Sequence, residues 1–528
     1  MFKITNLSIP LESNLSIEET ISKKYHIDIK NISLYRIIKK SIDARNQNEI
    51  KFIYSVFCNI KNYSIRKHDK NIIETNDYEL KYLTPEKINS NKKIAIVGYG
   101  PCGIFASMNL IRAGLDVTII ERGKKVEERI KDVEKLFTNH DFNKESNVCY
   151  GEGGAGTFSD GKLNTGVNDS YSQIIYNEFV KYGAPNEIMY ESHPHIGSDK
   201  LRDVLVNIRN DLEKSATYLF EHTLVNLKEE NNKVILSLKN DNKIIKKEFD
   251  YVLLAIGHNP YETFKMLYDY GLKMEPKPFS MGVRIEHLQK KIDYANYGKF
   301  YNHPKLKAST YKLVTHLKNG RSVYTFCMCP GGVVVPSNAD EGAIVSNGMS
   351  YFARDKENAN SALLVNVTPL DYGNTPLGGF EFQRKYEKLA YSLTNSYKAP
   401  VQLVGDFLKD RPSKEFRSVK ASYYGGTEFK NLKECLPDFV YESLKLALPK
   451  LNLFLKGFND NDAVLTAIES RSSCPTKMVR VDYESSIPNV FVGGEGSGHS
   501  GGITTSAIDG IKCSNAIINK IKKGLLRN

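Results

Sequence analysis

KIAIVGYGPCGIFASMNLIRAGLDVTIIE, residues 93–121, decides how this chain folds. Lys93–Val97 is a short, almost wholly apolar run of the kind buried on both faces of a parallel sheet. Gly98-Tyr99-Gly100-Pro101-Cys102-Gly103 follows without a gap. Ile104–Ala113 then has helical spacing, Gly114 ends it, and Asp116–Ile120 is a second strand closing on Glu121. A GxGxxG string alone is weak evidence, but between a strand and a helix, with an acid ending the next strand, it is specific. Gly98 permits a tight turn, Gly100 lets the backbone approach a pyrophosphate, and Gly103 lets helix and strand pack closely. The helix N-terminus offers free N–H groups and a positive dipole end to that anion. Glu121 stands where a carboxylate accepts hydrogen bonds from ribose hydroxyls. A dinucleotide site is predicted, with Pro101, Cys102 and Arg122 beside these glycines and the acid.

The rest of the chain says which dinucleotide. An NAD domain would continue at once through a second strand–helix–strand half. Here a charged helical segment, Lys124–Phe137, leads instead into Cys149–Lys162, dense in Gly with Thr, Ser and Lys. Such a run suits a backbone nest around phosphate oxygens, which adds Gly153, Gly154, Ala155, Gly156, Thr157, Ser159, Asp160, Gly161 and Lys162 to the cofactor set. Tyr251–Gly257 is another buried strand ending on glycine, and Val490–Glu495 is a third. Gly496–Ile503 and a helical run, Thr505–Ile518, follow it. A dinucleotide domain whose last strand returns so late is the layout of FAD enzymes with an inserted substrate domain. The returning acid there holds the ribityl chain, and the next helix points its N-terminus at the flavin ring. FAD, bound without a covalent link, is the cofactor predicted. Val225, Ala255, Gly257, Gly494, Glu495, Gly501, Gly502 and Ile503 complete the set, the last three with backbone N–H groups near the flavin O2 side.

Several longer strings carry a resemblance. Gly151–Lys162, PHIGSDKL (194–201), KPFSMGVRIEH (277–287), YTFCMCPGG (324–332), NGMSYFARDKENANSALLV (347–365) and Gly494–Asp509 are similar to the bacterial and plastid FAD-dependent dehydrogenase-like proteins. That family is described as NAD(FAD)-utilising dehydrogenases with an FAD-dependent C-terminal domain, and more distantly it resembles the glutathione-reductase-like flavoproteins. The likeness extends to KSIDAR (40–45) near the N-terminus. It implies fold and cofactor, and names no substrate. Two places depart from the pattern: Arg471-Ser472-Ser473-Cys474-Pro475 stands for Arg-Thr-Ser-Ser-Pro, and His499-Ser500 for Tyr-Ala.

Composition narrows the class. With 41% hydrophobic and 25% charged residues, disordered and coiled-coil chains are set aside. No apolar stretch approaches the ~18 residues of a membrane span, and residues 1–14 lack the zones of a signal peptide. Eight scattered cysteines in a chain of 528 residues argue against a disulfide framework, and none has zinc or iron–sulfur spacing. A cytoplasmic protein without a metal site is expected. The net charge of +12 invites a nucleic-acid reading, and residues 1–90 carry 15 Lys and Arg against 11 Asp and Glu. Most of that excess is Lys in a chain crowded with Lys, Asn and Ile, and basic balance alone speaks to loose association rather than to fold. A small-molecule substrate is therefore favoured over nucleic acid, and the oligomeric state is left open.

The fold class expected is α/β: a Rossmann-type FAD-binding domain (92–262 and 462–528) with an inserted α/β substrate domain (263–461) and a small N-terminal α+β domain (1–90). In that small domain Ser16 and Glu19 suggest a helix start, and Ile32–Ile38 and Ile50–Cys58 read as strands. The function expected is an FAD-dependent oxidoreductase moving a hydride to or from a small organic substrate. An RNA-associated flavoprotein and a non-catalytic flavin module stand as alternatives. No second GxGxxG follows a strand, so NAD(P)H either visits the flavin transiently or the electrons come from substrate or a protein carrier.

Three residues are candidates for the chemistry. His499, between the returning strand and the last helix, could donate a proton or be a structural histidine. Lys162 could meet the cofactor or pair with Asp160. Arg284 shares a strand face with Glu286, while His287 points the other way; the pair could grip an anionic substrate or form a salt bridge. Arg471 carries the same ambiguity. Cys327 and Cys329 form a CxC in which disulfide closure across one residue is strained.

Overall fold

The computed structural model describes residues 1–65, 69–76 and 80–526. Lys93–Val97 lies inside a sheet of seven described strands, between Tyr251–Leu254 and Asp116–Ile120, with Thr217–Leu219 at one edge. Val490–Val492 pairs in parallel with Tyr251–Leu254, each partner 238 positions from the other, and every pair from there to Thr217–Leu219 is parallel. Period-two alternation sorts the apolar strands onto two faces. Ile94, Ile96, Val117 and Ile119 join Phe105, Met108 and Ile511 in one core, beneath the helices Pro101–Arg112 and Ile503–Leu525. Ala95, Val97, Val252 and Leu254 point the opposite way, toward Leu227 and Leu236 of a three-stranded antiparallel sheet, Thr223–Phe249.

The helix Pro101–Arg112 starts where its sequence requires. Gly100 is the residue before the first turn, and Pro101 fills the first helical position, where a missing N–H costs nothing. Its crossing with Ile503–Leu525 is close. A Cβ on Gly510 would stand 2.2 Å from the Cys102 carbonyl oxygen, and Asn109 donates to Ser514 Oγ at 2.8 Å.

A second, larger sheet occupies the insert. Phe279–Leu288 runs through its middle, antiparallel to Asn358–Val367 and to Val464–Glu469. The long strand Ser322–Pro336 lies outside Asn358–Val367, its register slipping between Phe326 and Cys329 and again before Gly332. Val464–Glu469 departs from the reading that begins the returning segment at 462, for it pairs within the insert sheet. The chain re-enters the seven-stranded sheet at Arg480–Val481. A strand buried at every position, as this one is, carries no periodic signal that names its sheet.

The N-terminal unit is a sheet of Phe2–Pro10, Ile32–Asp43, Lys51–Ile60 and Ile72–Glu74 with one helix, Ile17–Tyr25. That helix opens on a capping box. Glu19 N–H donates to Ser16 Oγ at 3.0 Å, and Ser16 N–H donates to Glu19 Oε2 at 2.7 Å. Leu11, Ile50 and Phe52 pack on Tyr297 and Phe300 of the insert, and Lys40 of the KSIDAR string reaches Glu191. The unit is thereby fastened to both larger parts.

Candidate functional site

One cavity of about 560 Å³ lies where the seven-stranded sheet, the last helix and the insert sheet meet. Its volume falls in the range of small-molecule sites, roughly 300–1,000 Å³. Two helices begin on its wall. Pro101–Arg112 and Ile503–Leu525 both start at glycines, Gly100 and Gly502, and neither first turn has a side-chain cap. Their free N–H groups make two places on one wall where negative charge is favoured.

Along the strand–turn–helix unit, Gly98, Gly100, Pro101 and Cys102 line the cavity. Gly98 has φ +101°, and a Cβ there would stand 2.3 Å from the Ala255 carbonyl oxygen. Gly103 lies behind the wall, where its Cβ would stand 2.0 Å from the Gly98 oxygen. Glu121 and Arg122 both face the cavity. The Glu121 carboxylate accepts N–H groups from Tyr99 (2.9 Å), Gly123 (2.9 Å) and Gly151 (3.0 Å), tying the glycine turn to the next loop. The Arg122 guanidinium stacks 3.9 Å from the centre of the Tyr150 ring and pairs with Glu145.

The glycine-dense loop divides. Gly154, Ala155, Gly156, Ser159, Asp160 and Lys162 line the cavity, whereas Gly153, Thr157 and Gly161 do not. Gly153 N–H donates to the Tyr99 carbonyl at 2.8 Å, Thr157 Oγ1 donates to the Glu152 carbonyl at 3.0 Å, and Gly161 packs beside Gly197. These three shape the loop from behind. Val225 is likewise off the wall, and its neighbours His222, Thr223 and Leu224 are on it. The register of this strand shifts between Leu224 and Asn226, so the alternation breaks at Val225. Ala255, Gly257, Gly494, Glu495, Gly501, Gly502 and Ile503 all line the cavity. A Cβ on Gly257, Gly501 or Gly502 would meet nothing within 4 Å, so open space stands before these backbones.

The three chemistry candidates separate. His499 is exposed and outside the cavity wall, its Nε2–H donating to the Met478 carbonyl at 2.9 Å. That placement gives the ring a backbone partner across a turn, the arrangement of the structural-histidine alternative. Lys162 lines the wall and donates to the Met328 carbonyl, with Asp160 3.6 Å away. Arg284 is fully buried behind the wall and pairs with Glu469 at 2.9 Å. Glu286, on the same strand face, bonds instead to Asn358 and Ser422. His287 on the other face meets the Phe458 carbonyl.

Two of the wall residues, Glu469 and His258, escaped the motif reading. Glu469 ends a buried apolar strand, the same pattern that marks Glu121, and burial pushes its carboxyl up to about 7 against the pull of Arg284. His258 donates from Nε2 to the Arg471 carbonyl at 3.1 Å, and its Nδ1 lies 3.4 Å from Glu495. Nothing in its local sequence marks it. Arg471 faces the cavity while held by Glu387 at 2.7 Å and Asp340 at 2.8 Å. Cys327 is also on the wall, whereas Cys329 is buried beside it.

Comparison with known proteins gives this geometry a family. Residues 278–472 match the family described as FAD-dependent protein, C-terminal domain-like, and residues 1–59 match a domain of unknown function. Among solved structures the chain is similar to CtdE in complex with FAD (11% identity, 81% of this chain and 84% of that one, TM-score 0.32). A flavoprotein/dehydrogenase from Cytophaga hutchinsonii is similar at 10% identity, over 82% of this chain and 79% of that one, with TM-score 0.34. No described helix is long and apolar enough to cross a membrane. A protein of Clostridium beijerinckii, described as uncharacterized, is 44% identical over 98% of each chain. The chain belongs to the family of that Clostridium protein, and its residues 278–472 are similar to the C-terminal domain-like family of FAD-dependent proteins.

Proposed function

We propose that the cavity holds FAD without a covalent link and that the protein is an FAD-dependent oxidoreductase acting on a small organic substrate. The observation carrying this reading is the pair of uncapped helix N-termini, Pro101–Arg112 and Ile503–Leu525, opening onto one cavity together with Glu121. A molecule with a pyrophosphate at one point and an electron-accepting ring at another suits two such anion-favouring positions. The open space before Gly257, Gly501 and Gly502 leaves room for its flat parts against bare backbone.

Each wall residue then has a physical duty. Pro101 contributes no N–H, so the N–H groups of Cys102 and Gly103 are those left for a pyrophosphate. Glu121 already accepts three backbone N–H groups, and a carboxylate has about four acceptor sites. One site remains for a ribose hydroxyl. Arg122 on Tyr150 forms a flat, cationic side to the same end, beside Thr223 and Leu224. At the opposite end, Gly502 and Ile503 present N–H groups where electron density would build up, while the Gly501 N–H donates to Thr505 Oγ1 at 3.2 Å. Glu469 holds a proton there near neutral pH, which suits it to pass that proton to a substrate seated under the insert sheet. When bound, FAD supplies the two-electron exchange itself; the protein supplies position, charge and the proton.

An anaerobic absorbance titration with NADH and then NADPH tests the reading. A flavin band in the isolated or FAD-reconstituted protein is the expected result, and its absence from both would remove the cofactor assignment. Rapid bleaching by one nucleotide marks NAD(P)H as a transient donor. A band that stays oxidised directs the search to an organic substrate or a protein carrier.

A further inference from the structure

We propose that Cys327 is a nucleophilic thiolate in the insert wall of the cavity, with Cys329 retaining the proton, and that it exchanges with a small disulfide. The argument starts from the strand. Ser322–Pro336 slips register between Phe326 and Cys329, and Cys327 has φ +46°. The slip turns Cys327 to the cavity while Cys329 stays in the sheet. Seven of the eight cysteines are buried, and Cys327 is the exception.

The charge around the pair is unbalanced. Lys162 donates to the Met328 carbonyl between the two cysteines, and its Nζ lies 4.0 Å from Cys329 Sγ. Arg284 Nη2 donates to the Cys327 carbonyl at 2.7 Å and lies 3.6 Å from Cys329 Sγ. The ion pairs here are Lys162–Asp160, Arg354–Asp160 and Arg284–Glu469. With Glu469 charged, three cations share two carboxylates, and with Glu469 protonated they share Asp160 alone. A surplus charge at a half-buried site is costly, and one thiolate reduces it. Of the two sulfurs, the one facing the cavity takes the charge at lower desolvation cost. The Cys329 thiol has an acceptor of its own, the Cys327 carbonyl at 3.3 Å.

The acidity of the groups agrees. The neighbouring Cys329, aided by Lys162 and Arg284, brings the Cys327 thiol down to about 5, against burial and Asp160. Cys329 moves up, through its neighbour Cys327 and through burial. Cys102 and Cys149, the other thiols on the wall, are both pushed up by burial.

In the exchange, the Cys327 sulfur attacks one sulfur of the disulfide RSSR. A Cys327–S–S–R bond forms and the S–S bond of the reagent breaks. RS⁻ leaves with the electron pair and takes a proton from water. No outside oxidant or reductant enters, and FAD takes no part, so the proposal stands on the cavity and its charges alone.

The probe is glutathione disulfide, applied to the full chain at pH 5.5 before and after reconstitution with FAD. An ordinary thiol of pKa ~8.5 is about 0.1% thiolate at that pH. Even after the lower intrinsic nucleophilicity of an acidic thiolate is allowed for, exchange about tenfold faster than with free cysteine is expected. Peptide mapping should place one glutathionyl group on Cys327 of the unaltered chain. Cys327→Ser should remove it, and Lys162→Met should slow its formation severalfold. Exchange no faster than with free cysteine, or an adduct on Cys102 or Cys149 instead, would overturn the proposal. Flavin absorbance read on the same samples separates the outcomes: fast exchange without flavin sinks the cofactor reading alone, and flavin without exchange sinks this one alone.

Discussion

Gly100 and His499 show how much one position can carry. A Cβ on Gly100 would meet only the Gly154 Cα, at 3.7 Å, so Gly100→Ala should fold and keep some cofactor affinity. The branches of Gly100→Val would project into the space before the helix N-terminus. That variant should keep its far-ultraviolet circular dichroism yet lose the flavin band, and a fully loaded Gly100→Val would contradict the placement of the pyrophosphate. His499 has the opposite character. It is exposed and bonded to the Met478 carbonyl. His499→Ala should change turnover less than about twofold, where loss of a general acid typically costs ~100-fold or more. A large loss of turnover with flavin intact would return His499 to the chemistry.

At the scale of elements, the glycine turn and the two helices act through backbone distance. Gly103 lets the helix Pro101–Arg112 lie on the Gly98 carbonyl, where an added Cβ would stand 2.0 Å from the oxygen. Neither atom is the end of a flexible side chain, so helix and strand must part. Gly103→Ala should lower the unfolding free energy by about 1–3 kcal/mol, the usual range for overpacking, with a parallel fall in the urea midpoint. The same separation would swing the Cys102 N–H away from the cavity, so flavin affinity should drop as well. An unchanged midpoint would mean that the contact is less rigid than its distance indicates. This unit was legible from residues 93–121 because its demands are local: a turn, a bare approach and a close contact each exclude a Cβ. The capping box of Ser16 and Glu19 was legible for the same reason.

For the molecule as a whole, buried carboxyls tie stability to pH. Glu152 is completely buried, accepts the Val126 N–H and lies 3.2 Å from Arg209 Nε. Burial still outweighs those partners and lifts its carboxyl to about 7 from 4.5. Between these values the folded chain keeps a proton that the unfolded chain has lost. The associated stability is full at acid pH and disappears as pH rises through about 7, with a slope on the order of 1 kcal/mol per pH unit. Glu469, also at about 7, adds to the same trend. Urea midpoints measured from pH 5 to 8 should therefore fall more steeply in the natural chain than in Glu152→Gln, whose side chain never ionises. Parallel slopes would show that Glu152 titrates normally in the fold.

What the sequence alone determined is whatever short-range sterics dictate. The strand–glycine–helix unit, the apolar strand before Glu495 and the capped first helix of the N-terminal unit lie where the residue pattern puts them. Most of the residues chosen from glycine spacing stand on one cavity wall. The tertiary structure alone decided the partners. Arg284 pairs with Glu469, 185 residues away, and not with Glu286 on its own strand face. Leu224 rather than Val225 faces the cavity, His499 turns to a backbone carbonyl, and a register slip exposes Cys327. Such choices depend on which distant strand arrives beside a side chain and how much water it excludes. Packing sets both, and no local pattern encodes either.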